Sequence, residues 1–268
     1  MTARLVADRY GRGPAVVLLH GQPGSRADWR RVVALLEPDH TVLVPDRPGY
    51  GMTGGRAVGF SSNAAAVIDL LDSEAVGSAV IVGYSWAGGA AMSAAISYPA
   101  RVSGLVLVAS VRPGEKPGRL DRMMAVPFIG ETMGSLTLGT TGRLLRMRRV
   151  QNVVEHRLPR SAREVARSLA GAAGALTGAL VWRSFAAEQR YLVDELGAMA
   201  DDVSRIEAPT VVLSGGADHV VAPAVGARLA ATIPGADFRL IPGAHHLLPF
   251  DHPREIAAAV RSVSGSSG

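Results

Sequence analysis

The sequence contains no cysteine in 268 residues. A chain without thiols forms no disulfide, and it has no thiolate that could act as a nucleophile or hold an iron–sulfur or cysteine-rich zinc site. Four histidines, His40, His156, His219 and His252, stand alone without the spacing of metal ligands. We therefore expect chemistry that uses neither a metal nor another cofactor.

Long apolar runs are also absent from the chain. No uninterrupted apolar segment reaches the roughly 18 to 20 residues that a membrane-spanning helix needs. The first ten residues carry Arg4, Asp8 and Arg9 and lack the apolar centre of a secretory signal. These absences predict no membrane span and favour a cytoplasmic location.

Lysine is nearly absent. Lys116 is the only lysine among the 28 basic residues of the chain, which also has 23 acidic residues. The net charge of +5 suggests nucleic acid as a candidate partner. However, the densest arginine run, residues 143–160, has no interleaved aromatic residues on which bases could stack. We expect a solvated face there, with an anionic substrate tail as the alternative. The predicted partner is a small-molecule substrate, and no feature indicates an oligomeric state.

The most informative feature present is the segment 83–89, Gly-Tyr-Ser-Trp-Ala-Gly-Gly, which separates an apolar run from a run of small residues. This context predicts a strand that turns sharply into a helix, with Ser85 at the turn. A serine hydroxyl becomes a nucleophile when it is held clear of its backbone beside a base. The residues two before and two after it must be small, which Gly83 and Ala87 are, although Ala87 departs from the glycine of GxSxG.

Three further loops follow predicted strands. They are 20–24 (His-Gly-Gln-Pro-Gly), 215–218 (Gly-Gly-Ala-Asp) and 242–246 (Pro-Gly-Ala-His-His). Together with the Ser85 turn, their order of serine, aspartate and histidine resembles the α/β-hydrolase superfamily over almost the whole chain. The resemblance implies an α/β fold with a doubly wound, mostly parallel sheet, an inserted helical cap and a Ser-His-Asp triad.

The resemblance also implies an oxyanion hole built from two backbone N–H groups, those of Gln22 and Trp86. For Trp86 there is a local reason as well, because the first N–H groups of a helix have no partner within the helix. Pro23 has no N–H and can only shape its loop.

Asp218 is the predicted acid of the triad, because it leaves the strand predicted at 210–213 on a loop that could face a histidine ring. The preceding strand ends without a carboxylate. Asp46 lies in a Pro-Asp-Arg-Pro-Gly-Tyr-Gly segment that resembles a structural loop of the superfamily, and we expect it to stabilise a turn.

Two adjacent histidines compete for the role of base. Aligned from the Pro-Gly at 242–243, the position of the superfamily's histidine is His246, and His245 replaces a small residue. Adjacent side chains point in different directions, so only one ring can reach Ser85. We expect His246 to be the base and His245 to lie at the rim or in solvent.

The pattern along the chain alternates between strands and helices. Strands are predicted at 4–8, 15–19, 41–44, 79–83, 104–108, 210–213 and 238–241, and helices near 26–36, 63–71, 87–98, 225–231 and 253–260. The central strands are continuous apolar runs, typical of a parallel sheet buried on both faces. We expect a hydrolase core at 1–112 and 207–262, a helical cap at 113–206 and a disordered tail at 263–268.

The cap is expected to set substrate choice. Met124, Phe128, Trp182 and Leu247 are predicted to line an apolar substrate pocket. Because all the predicted catalytic loops lie outside 113–202, we expect this segment to control specificity and not the chemical step.

The function that these features favour is hydrolysis of a carboxylic ester of an apolar small molecule through an acyl-enzyme. Alternatives on the same triad are a C–C hydrolase, a thioesterase, a cofactor-free haloperoxidase and an aminopeptidase similar to proline iminopeptidases, in which Glu188 would bind the amine. Halide-removing and epoxide-opening relatives are disfavoured, because they use an aspartate where this chain has Ser85. An alternative of another class is a small-molecule binding or biosynthetic scaffold without hydrolysis.

Overall fold

A computed structural model describes residues 4–115, 144, 147–157 and 175–264. Seven strands are present in this part of the chain: β1 (Ala7–Tyr10), β2 (Ala15–Leu19), β3 (Thr41–Pro45), β4 (Ala79–Tyr84), β5 (Val102–Val108), β6 (Thr210–Gly215) and β7 (Asp237–Ile241). They form one sheet in the order β1-β3-β2-β4-β5-β6-β7. Only β1 runs antiparallel to its neighbour, and all other adjacent strands are parallel.

Helices connect the strands. The described α-helices are α1 (Arg30–Leu36), α2 (Phe60–Ser73), α3 (Ala87–Ser97), α4 (Arg148–Arg157), α5 (Ala175–Asp194), α6 (Pro223–Thr232), α7 (Leu248–Asp251) and α8 (Pro253–Ser264). Short 3-10 helices add Arg26–Trp29, Pro99–Arg101, Gly197–Met199 and Asp202–Arg205. The architecture is the doubly wound α/β fold that the sequence predicts.

The sheet is buried on both faces because successive strand residues point to opposite sides. In β2, Val17 and Leu19 pack with the residues of α2, α3 and α6. Val16 and Leu18 pack instead with α1 and α8. A strand covered on both faces cannot alternate polar and apolar residues, which explains its continuous apolar sequence.

The crevice of the fold lies between β2 and β4. The chain leaves β2 for α1 on one face of the sheet, and it leaves β4 for α3 on the other face. Two loops that diverge in this way leave an open space above the carboxyl ends of the strands. The loop 20–24 and Ser85 both lie at this point.

The segment between β5 and β6 is helical in its described part. It contributes α4, α5 and two of the 3-10 helices, and no strand occurs among its described residues. This agrees with an inserted helical cap, while the exact limits at 113 and 206 stay a prediction. Of the described helices, none is long and apolar enough to cross a membrane.

Most of the predicted strands and helices differ from the observed ones by one or two residues at an end, and three elements differ by more. β1 lies at Ala7–Tyr10 instead of 4–8, because an edge strand that is half exposed has a weak apolar pattern. α2 begins at Phe60, three residues early, because the Glu195 carboxylate accepts the Phe60 N–H at 2.8 Å. α8 continues to Ser264, and Val263 is buried against the sheet. Residues 263–264 therefore belong to this helix and not to a tail, whose remainder lies outside the described residues.

Candidate active site

Ser85 occupies a strained turn between β4 and α3. Its φ angle is 55°, a left-handed conformation that a residue with a side chain adopts only when its surroundings impose it. A Cβ on Gly83 would lie 2.7 Å from the Ala87 oxygen and from Cα of Gly88, so the glycine is required. Ala87 itself is completely buried, which shows that the turn accommodates a methyl group in place of the usual glycine.

The structure brings the hydroxyl of Ser85, the ring of His246 and the carboxylate of Asp218 into one row. Ser85 Oγ lies 3.1 Å from His246 Nε2, and His246 Nδ1 lies 2.8 Å from Asp218 Oδ2. Nδ1–H donates to the carboxylate in this arrangement, which leaves Nε2 free to accept the serine proton. The Tyr84 hydroxyl donates to the His246 carbonyl at 3.1 Å and holds the backbone of the histidine loop.

Asp218 is fixed by backbone donors on its far side. Its Oδ1 accepts the N–H groups of Val220 at 2.8 Å and Val221 at 2.9 Å. Burial alone would raise the pKa of Asp218, but these donors and His246 hold it below its ordinary value. The group is therefore a carboxylate at neutral pH, as a partner for a transient imidazolium requires.

The second histidine of the pair faces away from Ser85. His245 is exposed, and its Nδ1 lies 2.9 Å from the Ala217 carbonyl oxygen. This contact ties the histidine loop to the Asp218 loop without contributing a base. The geometry thus favours His246 over His245, as the sequence predicts.

Two backbone N–H groups border the crevice beside Ser85. Within the described part of the chain, neither the N–H of Gln22 nor that of Trp86 donates to a backbone carbonyl. Trp86 precedes the first turn of α3, where an N–H has no helical acceptor. Both groups are thus available to an anion, although their role as oxyanion donors stays a prediction.

His20 begins the loop 20–24 and is completely buried. Its Nε2 accepts the backbone N–H of Arg47 at 3.0 Å, so Nδ1 carries the proton and donates to the Gly21 oxygen at 2.9 Å. Burial, with the positive charge of Arg47 nearby, lowers the pKa of His20 well below its ordinary value. The ring is therefore neutral and serves to shape the loop.

Sequence reasoning missed a buried ion pair beneath the crevice. Arg47 and Glu188 are both completely buried, and Arg47 Nη1 forms a salt bridge with Glu188 Oε1. Tyr50 donates its hydroxyl to Glu188 Oε2 at 2.6 Å. Burial raises the pKa of Glu188, and the contacts with Arg47 and Tyr50 oppose that shift. The only signal in the sequence was an arginine inside the loop that also contains Asp46.

This pair excludes the role that the aminopeptidase alternative gave to Glu188, while the alternative itself stays open. A carboxylate that binds the amine of a peptide substrate needs a free oxygen facing the crevice, whereas both oxygens of Glu188 are bonded inside the protein. Glu188 is therefore not an amine-binding group.

Asp46 stabilises its turn as expected, because its carboxylate accepts the N–H groups of Arg26 at 2.9 Å and Met52 at 2.8 Å.

The predicted pocket residues are only partly covered by the structure. Met124 and Phe128 lie outside the described residues. Trp182 on α5 is half-buried and stacks on Phe185 with ring centroids 4.7 Å apart. Leu247 is half-buried next to His246. Their contact with a substrate stays a prediction. Across the described ranges, no group of three or more His, Asp or Glu side chains could hold a metal ion.

Comparison with known proteins relates the chain to hydrolases. A pimeloyl-[acyl-carrier protein] methyl ester esterase of Vibrio campbellii is 38% identical over 110 residues, which cover 41% of this chain and 42% of that protein. A 2-hydroxy-6-oxononadienedioate/2-hydroxy-6-oxononatrienedioate hydrolase of Burkholderia vietnamiensis is 28% identical over 253 residues, or 89% of this chain and 82% of that protein.

Solved structures and the family profile agree with the observed fold. A thermophilic esterase from Thermogutta terrifontis superimposes with a TM-score of 0.76 at 23% identity, covering 96% of this chain and 92% of that one. At this identity the likeness concerns the fold alone. The profile of the family described as "Alpha/beta hydrolase family" matches residues 16–259. The chain therefore belongs to the α/β-hydrolase family.

Proposed function

We propose that the protein is a serine hydrolase that cleaves a carboxylic ester of an apolar small molecule through an acyl-enzyme. One observation carries this proposal: the unbroken row in which Ser85 Oγ lies 3.1 Å from His246 Nε2 and His246 Nδ1 lies 2.8 Å from Asp218. Such a row removes the serine proton at the moment of attack and stabilises the positive charge that results.

Acylation follows from these positions. Ser85 Oγ attacks the ester carbonyl carbon while His246 Nε2 accepts its proton, and Asp218 orients and stabilises the imidazolium. The carbonyl oxygen becomes an oxyanion that accepts hydrogen bonds from the N–H groups of Gln22 and Trp86. The C–O bond then breaks, and His246 returns the proton to the departing alcohol.

Deacylation repeats the same steps with water as the nucleophile. His246 accepts a proton from a water molecule, whose oxygen attacks the acyl carbon. The same two N–H groups stabilise the second oxyanion, and the proton passes from His246 to Ser85 Oγ as the carboxylic acid is released. The enzyme returns to its starting state without a cofactor.

Aromatic side chains on the cap support an apolar substrate. Trp182 and Phe185 form a half-buried stacked pair on α5. A charged substrate gains little binding free energy from such an apolar surface, whereas an aliphatic or aromatic acyl chain gains binding free energy from each contact with it.

A second candidate is C–C bond hydrolysis. It is favoured by the Burkholderia vietnamiensis hydrolase, whose similarity extends over 89% of this chain. The same serine, histidine and oxyanion donors could act on an activated ketone in place of an ester. The two activities differ in the leaving group, which is a carbanion equivalent in one case and an alkoxide in the other.

A substrate panel separates these candidates. It contains short and long acyl esters, acyl thioesters, prolyl anilides and a 2-hydroxy-6-ketodienoate, and it is assayed with the parent protein and Ser85→Ala. Ser93→Ala is the matched control, because Ser93 is buried on the helix that follows Ser85. We expect ester turnover with the parent and with Ser93→Ala and none with Ser85→Ala. Preferential cleavage of the ketodienoate would assign the second candidate.

Covalent labelling distinguishes an enzyme from a binding scaffold. A fluorophosphonate reacts only with an activated serine, so intact-mass analysis should show one adduct that Ser85→Ala abolishes. A folded parent protein that takes up no label over hours would support the scaffold and refute the hydrolase.

A further inference from the structure

The buried ion pair of Arg47 and Glu188 takes no part in the steps above, although it lies directly beneath them. Both side chains are completely buried, and 141 positions of the sequence separate them. Two charges are removed from water only where their contacts compensate for the lost hydration. The contacts of this pair lead to the two loops that carry the N–H groups of Gln22 and Trp86.

Arg47 holds the carbonyl groups that precede Gln22. Its Nε donates to the His20 oxygen at 2.7 Å, and its Nη2 donates to the Gly21 oxygen at 2.9 Å. The Gly21 carbonyl and the Gln22 N–H belong to the same planar peptide unit. In a trans peptide the two bonds point in opposite directions. A guanidinium that fixes the Gly21 oxygen on the inside therefore aims the Gln22 N–H outward.

The second N–H group is tied to the same pair. The guanidinium of Arg47 lies over the Trp86 ring, 4.7 Å from its centroid, and the indole Nε1–H donates to the backbone oxygen of Glu188 at 3.1 Å. Trp86 is thus held between the Arg47 side chain and the α5 backbone. The peptide of one N–H group and the side chain of the residue that carries the other thus share one arginine and one glutamate as partners.

Glu188 is what keeps Arg47 in place. The guanidinium has no route to solvent, and Glu188 is the carboxylate that neutralises it. Without this charge, the arginine would withdraw toward water or admit water, and the Gly21 oxygen would keep only the His20 Nδ1–H as a donor. Glu188 lies on α5, in the segment 113–202 that the sequence analysis assigns to substrate choice alone.

We propose that Glu188 is a positioning residue that acts through Arg47 to aim the Gln22 N–H and to seat Trp86, so that α5 completes the oxyanion hole. This inference rests on the proposed function, because it concerns the oxyanion of that reaction. It also changes the role of the cap, since one of its helices supports the chemical step and not only the choice of substrate.

The test compares Glu188→Ala and Glu188→Gln with a control on the same helix. Ser184→Ala is suitable because buried Ser184 donates to the Gly49 oxygen at 2.6 Å, a bond between α5 and the Arg47 loop that does not touch the peptide of Gln22. Glu188→Gln keeps the shape of the side chain and remains informative where Glu188→Ala does not fold. Folding is checked by circular dichroism and gel filtration.

Two measurements are made on each folded variant. The first is kcat and KM for the best ester of the panel. The second is the affinity for a trifluoromethyl ketone, which forms a tetrahedral adduct with Ser85 and places an oxyanion in the hole, compared with the affinity for the alcohol product. A defect in donor positioning weakens the adduct and kcat together, whereas a general packing defect has no reason to do so.

We expect the Glu188 variants to lower kcat by ~10- to 100-fold, somewhat less than the complete loss of one oxyanion donor. The affinity for the trifluoromethyl ketone should fall by the same factor, while KM and product affinity stay within ~3-fold, as for a contact made only in the transition state. Folded Glu188 variants that match Ser184→Ala in kcat, or that change KM and leave the ketone affinity intact, would overturn the positioning role. A parent protein without esterase activity or fluorophosphonate labelling would overturn the proposed function and this inference together.

Discussion

Two pairs of bonded polar side chains, one at the crevice and one beneath it, differ in exposure. In the Asp218–His246 pair the carboxylate is buried, but the histidine side chain is 15% exposed. In the Arg47–Glu188 pair the side chains are only 1% and 0% exposed. The histidine must gain and lose a proton in the proposed reaction, so complete burial would oppose its charged form. The arginine never changes its charge, and full enclosure keeps it in one position.

The pairs also differ in how the chain supplies them. Asp218 and His246 leave neighbouring parallel strands, β6 and β7, whose carboxyl ends lie at one edge of the sheet. Arg47 follows β3, whereas Glu188 comes from α5 in the insertion. The reactive pair, as we call Asp218 and His246 for their proposed catalytic role, thus comes from two loops of the sheet. The supporting pair, as we call Arg47 and Glu188 for their proposed positioning role, links the sheet to the inserted helical segment.

The largest expected effect is on the reactive pair. His246→Ala should lower kcat by ~10⁴- to 10⁶-fold, the range seen when members of a triad are removed. His245→Ala is the matched control and should stay within ~2-fold of the parent, as is usual at an exposed position. Steady-state ester hydrolysis measures both. The opposite ranking would transfer the role of base to His245.

The supporting pair should instead affect stability. Arg47→Met leaves Glu188 buried without a cation, which should lower the free energy of unfolding by about 3 to 5 kcal/mol. Arg261→Met is the control, because Arg261 and Asp39 form a pair with side chains 44% and 45% exposed, and such pairs contribute at most about 1 kcal/mol. Urea denaturation measures both. Equal losses would mean that burial does not distinguish the two ion pairs.

A third substitution tests whether Trp182 and Glu188, which both lie on α5, have different roles. Trp182→Ala removes one ring of the stacked pair with Phe185. It should change the difference in kcat/KM between short and long acyl esters by the equivalent of about 1 to 3 kcal/mol, and so change their ranking. The rate of fluorophosphonate labelling by a small probe should stay near that of the parent. Exposed Arg183→Ala is the control on α5. Slower labelling with an unchanged ranking would assign Trp182 to the catalytic centre, together with Glu188.

The smallest effect concerns a carboxyl group without a bonded arginine. Burial, with the negative charge of Asp46 nearby, raises the pKa of Asp28 to about 6 from a reference value of 3.8. The folded state therefore binds this proton more tightly than the unfolded state. The contribution of Asp28 to stability rises by about 1 kcal/mol as the pH falls from 7 to 5, and it is absent in Asp28→Asn.

Urea denaturation of the parent and Asp28→Asn at both pH values isolates this contribution, because all other titrating groups are common to the two proteins. Asp28→Asn keeps an oxygen for the Ser25 N–H, which Asp28 accepts at 3.1 Å. Identical pH dependence in the two proteins would show that Asp28 titrates normally. In that case burial without a cation would not suffice to shift a carboxyl group in this crevice.

The sequence alone determined the sheet and the loops that carry Ser85, Asp218 and His246. The apolar runs of β2, β4, β5 and β6 predicted buried parallel strands, and the small residues around Ser85 predicted a sharp turn. These signals are local, because each depends on residues that follow one another closely in the chain. Parallel strands then bring their carboxyl-end loops to one edge without further information.

Only the tertiary structure decided which distant side chains lie beneath that edge. Nothing in the local pattern joins Arg47 to Glu188, and Glu188 read alone suggested a ligand for an amine. The early start of α2 at Phe60 has the same origin, because its N–H is accepted by Glu195 from far along the chain. A buried charge takes its partner from whichever element packs against it, and that packing is a property of the whole fold.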